Sequence, residues 1–297
     1  MYGTEYEQGE TCERGYAFFS KAWKEMKFHC VKLEEVCRQK DAEFLGILND
    51  IKYGRNLQNV IAYLESNQSS DLMEEAPYLV GTNAKADKIN QAHMRALDEK
   101  TEKKFWAIIE GDVTYEDIKN ISFAKQSLVV NVGAKVMLTA NDANGEYVNG
   151  TMGTIIDISK ERGDATCIQV LTDKGKKVDV YRYEREIERQ DIEESKEKDK
   201  NGETVIVKKI VRKIVGSFKQ FPIKIAWAMS IHKSQGQTFG QVNIDPRCWD
   251  SGQFYVAVSR AESVAGIHFM APIMKQYIRT LSDEVIKILR ESLYSII

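Results

Sequence analysis

The chain is poor in everything that would make a metal clasp or a disulfide framework. Its five cysteines, Cys12, Cys30, Cys37, Cys167 and Cys248, are scattered over 297 residues without a CxxC pair, so neither a thiolate zinc site nor a stapled scaffold is expected and a reducing, cytoplasmic setting is. Of the four histidines, His29, His93 and His268 read as ordinary helix or strand residues, none at a metal-ligand spacing. The expected metal complement of this chain is therefore none. No apolar run approaches the roughly 20 residues that cross a bilayer, and the start MYGTEYEQGETCERG has neither the basic opening nor the apolar centre of a signal peptide. No membrane partner is expected. Charge is balanced, 42 basic residues against 44 acidic, so no global field draws the chain to nucleic acid and any such binding must be local. No nucleophile stands at a diagnostic interval from a base, which leaves hydrolase triads without support.

A primary phosphate cradle is missing as well. Lys233-Ser234 resembles the end of a GxxxxGK[ST] loop, but His232 stands where glycine is required. Gly175-Lys176 fails too, because Val170 replaces the first glycine and Lys177 follows.

What is present reads as α/β texture. RQKDAEFLGILNDIKYG places Phe44, Leu45, Leu48 and Ile51 at helical spacing between Asp41 and Gly54, and LQNVIAYLESN continues as a second helix. KFHCVKLEEV before them reads as a short strand. After Pro77, YLVGT reads as a buried strand handing over at an Asn83 N-cap to a helix whose face is Ala86, Ile89, His93, Met94 and Leu97. From Leu128 to Phe221 short strands and turns prevail, among them the tight-turn pair Asn149-Gly150. The charged stretch ERQDIEESKEKDKNGE reads as a solvated hairpin or loop. IKIAWA then reads as a strand, SIHKSQGQT as a loop into a helix, QVNIDP as a strand, SGQFYVAVSRAES as a helix, GIHFMA as a strand, and Met274 to Leu293 as a closing amphipathic helix. The expected fold is α/β with a small barrel inserted.

Ligands of open α/β sheets collect where strand ends lead into helices, and HKSQGQT occupies such a junction. Gly236 would let backbone approach a ligand, while His232, Lys233, Ser234 and Gln235 offer hydrogen bonds to phosphate or base. A merely polar loop with a capping serine fits the same spacing.

Five blocks, VCRQKDAEFLGILNDIKYG, VGTNAKADKIN, VGAKVMLTANDANGEYVNGTMG, IAWAMSIHKSQGQTF and FYVAVSRAESVAGI, occur in this order. Together they closely resemble the second half of the RecD-like, petite-integration-frequency (Pif-type) DNA helicases of superfamily 1. The resemblance runs from about Tyr16 to Phe269. It implies a second RecA-like, parallel-sheet domain over 1–153 and 220–297, lacking the phosphate loop, with an SH3-like β-barrel inserted at 154–219. It implies an ATP and Mg²⁺ site completed by an absent N-terminal RecA-like domain, in the same polypeptide or another, with neither cofactor held by this chain alone. Single-stranded DNA is the implied partner and 5′→3′ translocation the implied activity.

By the same resemblance Arg38 reaches the ATP γ-phosphate and Arg260 is the arginine finger, although Glu262 lies close enough to pair with the latter. His232, Lys233 and Ser234 face DNA, Gly236 and Gln237 face nucleotide, and Thr82 and Asn83 hold the DNA backbone. For Asn83 a helix cap alone is an equal reading, for Asn149-Gly150 a purely structural turn, and for Tyr255 core packing beside Phe254. Lys208, Lys209, Arg212, Lys213 and Lys219 form either a strip for backbone phosphates or an edge protected from aggregation. A stand-alone nucleic-acid-binding or adaptor module derived from a helicase is the alternative function.

Overall fold

The computed structural model describes residues 25–26, 38–119, 121, 125–158, 161–162, 165–198 and 204–280. Its centre is a parallel sheet of four short strands in the order Ala228–Ser230, Tyr78–Val80, Val242–Ile244, Ile267–Phe269. The first three are buried at every residue, as expected where both faces of a parallel sheet are covered.

One face is covered by three helices. Helix α1 (Ala42–Tyr53) starts at Asp41, whose carboxylate accepts from the amides of Glu43 at 2.8 Å and Phe44 at 3.3 Å, and it closes at Gly54. Its buried residues Phe44, Ile47, Leu48 and Ile51 follow the one-face periodicity of the sequence. Helix α2 (Leu57–Asn67) adds Val60 and Leu64. The third cover on this face is the helix Gln253–Val258, where fully buried Phe254 stacks on Phe269 of the sheet at 6.0 Å between ring centroids. On the opposite face helix α3 (Asn83–Arg95) packs Ala86 and Ile89 on Tyr78, Val80 and Ala228. Asn90 of α3 bonds the edge strand twice, donating to the Ala228 carbonyl and accepting from its amide, both at 2.8 Å. The N-cap of α3 is Thr82, not the expected Asn83: the Thr82 hydroxyl accepts from the Lys85 amide at 3.3 Å. Threonine takes that role because its extended backbone aims the hydroxyl back at the first turn, whereas Asn83 is already helical.

A second, antiparallel sheet has the order Lys177–Val180, Ile168–Thr172, Met152–Asp157, Lys135–Leu138, Ile223–Ile225. It encloses its own core, including Val136, Ile155, Val170, Val180 and Phe221. Two of its strands lie outside the 154–219 span expected for a barrel, because the alternating burial of Lys135–Leu138 and the pairing of Ile223 with Leu138 belong to this core. IKIAWA is consequently not one strand. Ile223–Ile225 ends in the antiparallel sheet, and the chain crosses at Ala226-Trp227 to begin Ala228–Ser230 in the parallel one. Trp227 stacks on His93 of α3 at 5.2 Å there.

Up to Lys198 the charged stretch lies on one strand of a long antiparallel pair, Tyr183–Lys198 against Thr204–Gln220, with Ile108–Gly111 as a third strand; its residues 199–203 lie outside the described residues. Arg189 ties it down through Asp112 at 3.1 Å and Asp117 at 2.8 Å, and its hydrogen bonds hold the Asp117 carboxyl far below the usual range. The expected helix after SIHKSQGQT does not form: Ile231–Ser234 is a 3₁₀ turn and stops there. The Ser234 hydroxyl is spent on the Ile231 carbonyl at 2.7 Å, and Gly236 at φ 88° turns the backbone out of any helix. Of the expected closing helix, Lys275–Tyr277 is a 3₁₀ turn, and residues from 281 onward lie outside the described residues, as does the expected strand at 28–36. Cys167 and Cys248 are buried, and burial pushes the Cys248 thiol up to about 12, with Asp245 adding to it. Among the described residues no helix is long and apolar enough to cross a membrane.

At the carboxyl end of Val242–Ile244, Asp245 is 3% exposed and accepts from Arg247 at 2.7 Å and from Lys85 of α3. Burial pushes its carboxyl up, but the hydrogen bonds from Arg247 and Lys85 outweigh burial and leave it below the ordinary value.

Two outcomes test this packing. Phe254→Ala should cost about 3–5 kcal/mol in urea unfolding, since it empties a fully enclosed aromatic site; a loss under about 1 kcal/mol would mean the stack on Phe269 is not part of the core. Asp245 stabilises the fold above its unfolded pKa of about 4 and ceases to as pH falls through the lower folded value. Asp245→Asn should thus lower the unfolding midpoint at neutral pH and flatten its acid-side slope.

Candidate functional site

The segment entering α1 is fastened to the loop after the helix Gln253–Val258. Buried Gln39 donates through Nε2 to the carbonyls of Ser259 at 3.0 Å and Ala261 at 2.9 Å. With Gln39 pinned, neighbouring Arg38 donates from Nε to the Thr238 hydroxyl at 2.8 Å and from Nη1 to the Ser259 carbonyl at 3.0 Å. Arg260 approaches from the other side. Its Nη2 donates to the Ser259 hydroxyl at 3.0 Å, its Nε to the Val256 carbonyl at 3.0 Å and its Nη1 to the Gln237 carbonyl at 3.4 Å. Two guanidinium groups, 222 positions apart in the chain, thereby meet around Ser259.

Neither forms an ion pair with a carboxylate among the described residues, and Glu262 does not take Arg260. Burial pushes the Arg260 guanidinium below its ordinary value, and the charge of Arg38 lowers it further. It nevertheless stays protonated at neutral pH. Two like charges held by neutral acceptors leave an electrostatic demand that an anion would meet. The loop is held in register by a parallel bridge between Phe239 and Ala261.

The expected site residues divide between this cleft and a second place. Gln237 contributes its carbonyl to Arg260 and lays its side-chain amide on Gly150, where a Cβ would collide with it. Gly150 is glycine for a second reason, its φ of 91°. The Asn149-Gly150 turn is therefore docked on the 235–238 loop. Gly236 is exposed, with open space where a side chain would project. Tyr255 packs against the main core, which satisfies its structural reading. His232 is exposed, with Nε2 3.6 Å from Asp250. Ser234 does not face outward as expected: it is 0% exposed and its hydroxyl is internally bonded. Lys233 and Asn83 are exposed and line one cavity of about 630 Å³ on the α3 side of the sheet. Thr82 is exposed at the start of α3.

The basic strip is paired along its own hairpin. Lys208 pairs with Glu194 at 2.9 Å, Lys213 with Asp191 at 2.9 Å, Lys219 with Glu184 at 3.3 Å and Arg212 with Glu188 at 3.8 Å. The antiparallel register sets Lys208 opposite Glu194 and Lys219 opposite Glu184, and brings Lys213 and Arg212 diagonally within reach of Asp191 and Glu188, so each of these cations has a carboxylate beside it. Sequence reasoning missed Gln39, Thr238 and Ser259, which position the arginines; only their adjacency to Arg38, Gln237 and Arg260 signalled them. Among the described residues no group of three or more His, Cys, Asp or Glu side chains could hold a metal ion.

No family model matches the chain. Individual relatives do. The ATP-dependent DNA helicase Pif1 of Bdellovibrio bacteriovorus is 30% identical over 263 residues, covering 88% of this chain and 54% of the relative. The crystal structure of Bacteroides Pif1 bound to ssDNA superposes with a TM-score of 0.62 at 28% identity, covering 89% of this chain and 57% of that one. Bacteroides Pif1 in complex with ADP-AlF4 superposes with a TM-score of 0.67, also at 28% identity, over 89% of this chain and 56% of that one. The shared architecture is the α/β, RecA-like one with its parallel sheet. Over most of its length this chain is a homologue of Pif1-type superfamily 1 helicases, and it spans about half the length of those relatives.

Proposed function

We propose that the chain is the C-terminal motor half of an ATP-dependent 5′→3′ DNA helicase. In this reading it is a second RecA-like domain with an SH3-like insert, and it binds single-stranded DNA. It lends Arg38 and Arg260 to an ATP whose phosphate loop and Mg²⁺ acid lie on an N-terminal RecA-like domain, in the same polypeptide or another. The observation that carries the reading is the meeting of two carboxylate-free guanidiniums around Ser259.

Phosphoryl transfer spreads negative charge over the moving group, and arginines presented across a closing interface stabilise it by about 10³ or more in rate. A sequence without a GxxxxGK[ST] loop has no other evident way of touching the γ-phosphate. Gly236 and Gln237 are assigned to the nucleotide side, close to Arg260. His232, Lys233, Thr82 and Asn83 are assigned to the DNA side; Ser234 is not, since its hydroxyl supports the turn. The relatives' names, ATP-dependent DNA helicase Pif1, and the ssDNA and ADP-AlF4 complexes of the Bacteroides protein support both sides of the assignment. Closure against the first domain and reopening would move the strand by a small step.

The test is reconstitution of ATP hydrolysis with a phosphate-loop domain from a Pif1-type relative. The chain alone should hydrolyse no ATP. The pair should show DNA-stimulated turnover that falls about 10³-fold in Arg260→Ala, with single-strand affinity unchanged. Turnover by the chain alone that survives Arg260→Ala would overturn the reading.

A further inference from the structure

The roles assigned to the loop HKSQGQT stop at Gln237, one residue short of Thr238. Thr238 is exposed, and its hydroxyl accepts from Arg38 Nε at 2.8 Å across 200 positions of sequence. A guanidinium carries five N–H donors in one rigid plane. Arg38 places one from Nε on Thr238 and one from Nη1 on the Ser259 carbonyl at 3.0 Å, while its Nη2 has no acceptor among the described residues. Attachment at two different nitrogens fixes both the place and the rotation of a planar group, so Nη2 is held in one direction. With Nε released, the group could pivot about the Ser259 contact.

The other grips on the two arginines are of a different kind. The Ser259 carbonyl that receives Arg38 is main chain and also accepts from Gln39. Arg260 is held by the Val256 carbonyl and the Ser259 hydroxyl, both beside it in its own turn, and by the Gln237 carbonyl. Among the described residues Thr238 is therefore the one side chain from a separate element that grips either guanidinium. It is also a neutral acceptor. A carboxylate in its place would hold Arg38 more tightly but cancel its charge, whereas a hydroxyl orients the cation and leaves that charge whole for an incoming anion.

We infer that Thr238 is a positioning residue for phosphoryl transfer, holding Arg38 by Nε so that Nη2 is the donor offered to the transferred group. The inference rests on the reading of Arg38 as a γ-phosphate contact, and adds to it the donor atom and the side chain that aims it. Thr238 acts through Arg38 and does not itself meet the nucleotide.

The experiment uses the reconstituted pair, with kcat and KM for ATP measured at saturating single-stranded DNA and strand affinity measured by anisotropy. Thr238→Val keeps the β-branched shape and removes the acceptor. It should lower kcat about tenfold, the low end for a hydrogen bond to a charged group. KM and strand affinity should not change, because an aim that serves only the developing charge is lost from kcat and kcat/KM alike. Thr238→Ser, which retains the hydroxyl, should restore kcat. In an Arg38→Ala background Thr238→Val should cost nothing further. Thermal melts establish that each variant is folded. An unchanged kcat in Thr238→Val or no recovery in Thr238→Ser would overturn the inference. So would the same tenfold loss on top of Arg38→Ala, by showing that Thr238 meets the nucleotide directly. Absence of DNA-stimulated turnover in the unsubstituted pair, or full turnover in Arg38→Ala, would instead defeat the parent reading.

Discussion

The arginine cleft hangs on the primary amide of Gln39. That buried group places both of its N–H bonds on the loop after the helix Gln253–Val258, through the carbonyls of Ser259 and Ala261. It adds to the bonds of Arg38 with Thr238 and Ser259 and to the packing of α1 on the helix Gln253–Val258 in fixing the segment entering α1 against that loop. Mutual repulsion of Arg38 and Arg260 favours their separation; a buried, fully used amide opposes it. The result is positive charge oriented before any ligand arrives, an arrangement that would favour an anion.

The two sheets are linked through the chain and through side-chain contact. The chain passes between them at Ala226-Trp227, three residues after Ile223 pairs with Leu138 and just before the polar loop begins. The antiparallel sheet then touches that loop again, through the contact of Gly150 with Gln237. Gln237 in turn gives its carbonyl to Arg260. A continuous path of packed groups thus joins the turn before Met152 to the arginine cleft.

Much of the parallel layer was legible in the sequence because its signals are local. The Asp41 cap, the Phe44–Ile51 spacing and the buried triplets around Leu79 and Asn243 each announce themselves within a few residues. The arginines were legible only through the order of the five blocks, since nothing near Arg38 reveals that Ser259 will accept from it. Three features were not legible for physical reasons. The split of IKIAWA depends on the pairing of Ile223 with Leu138, 85 positions away. The failure of HKSQGQT to continue as a helix follows from a hydroxyl bonding backward and a glycine at positive φ, neither visible in polarity. The ion pairing of the basic strip depends on register, which brings Glu184, Asp191 and Glu194 beside Lys219, Lys213 and Lys208.

Asn90 occupies the Ala228 rung at one edge of the parallel sheet by imitating a peptide group with its side chain. A strand from another molecule finds that rung already occupied, which removes a templating surface. A neighbour that would lengthen the ladder sideways at this edge must first displace the Asn90 side chain from Ala228.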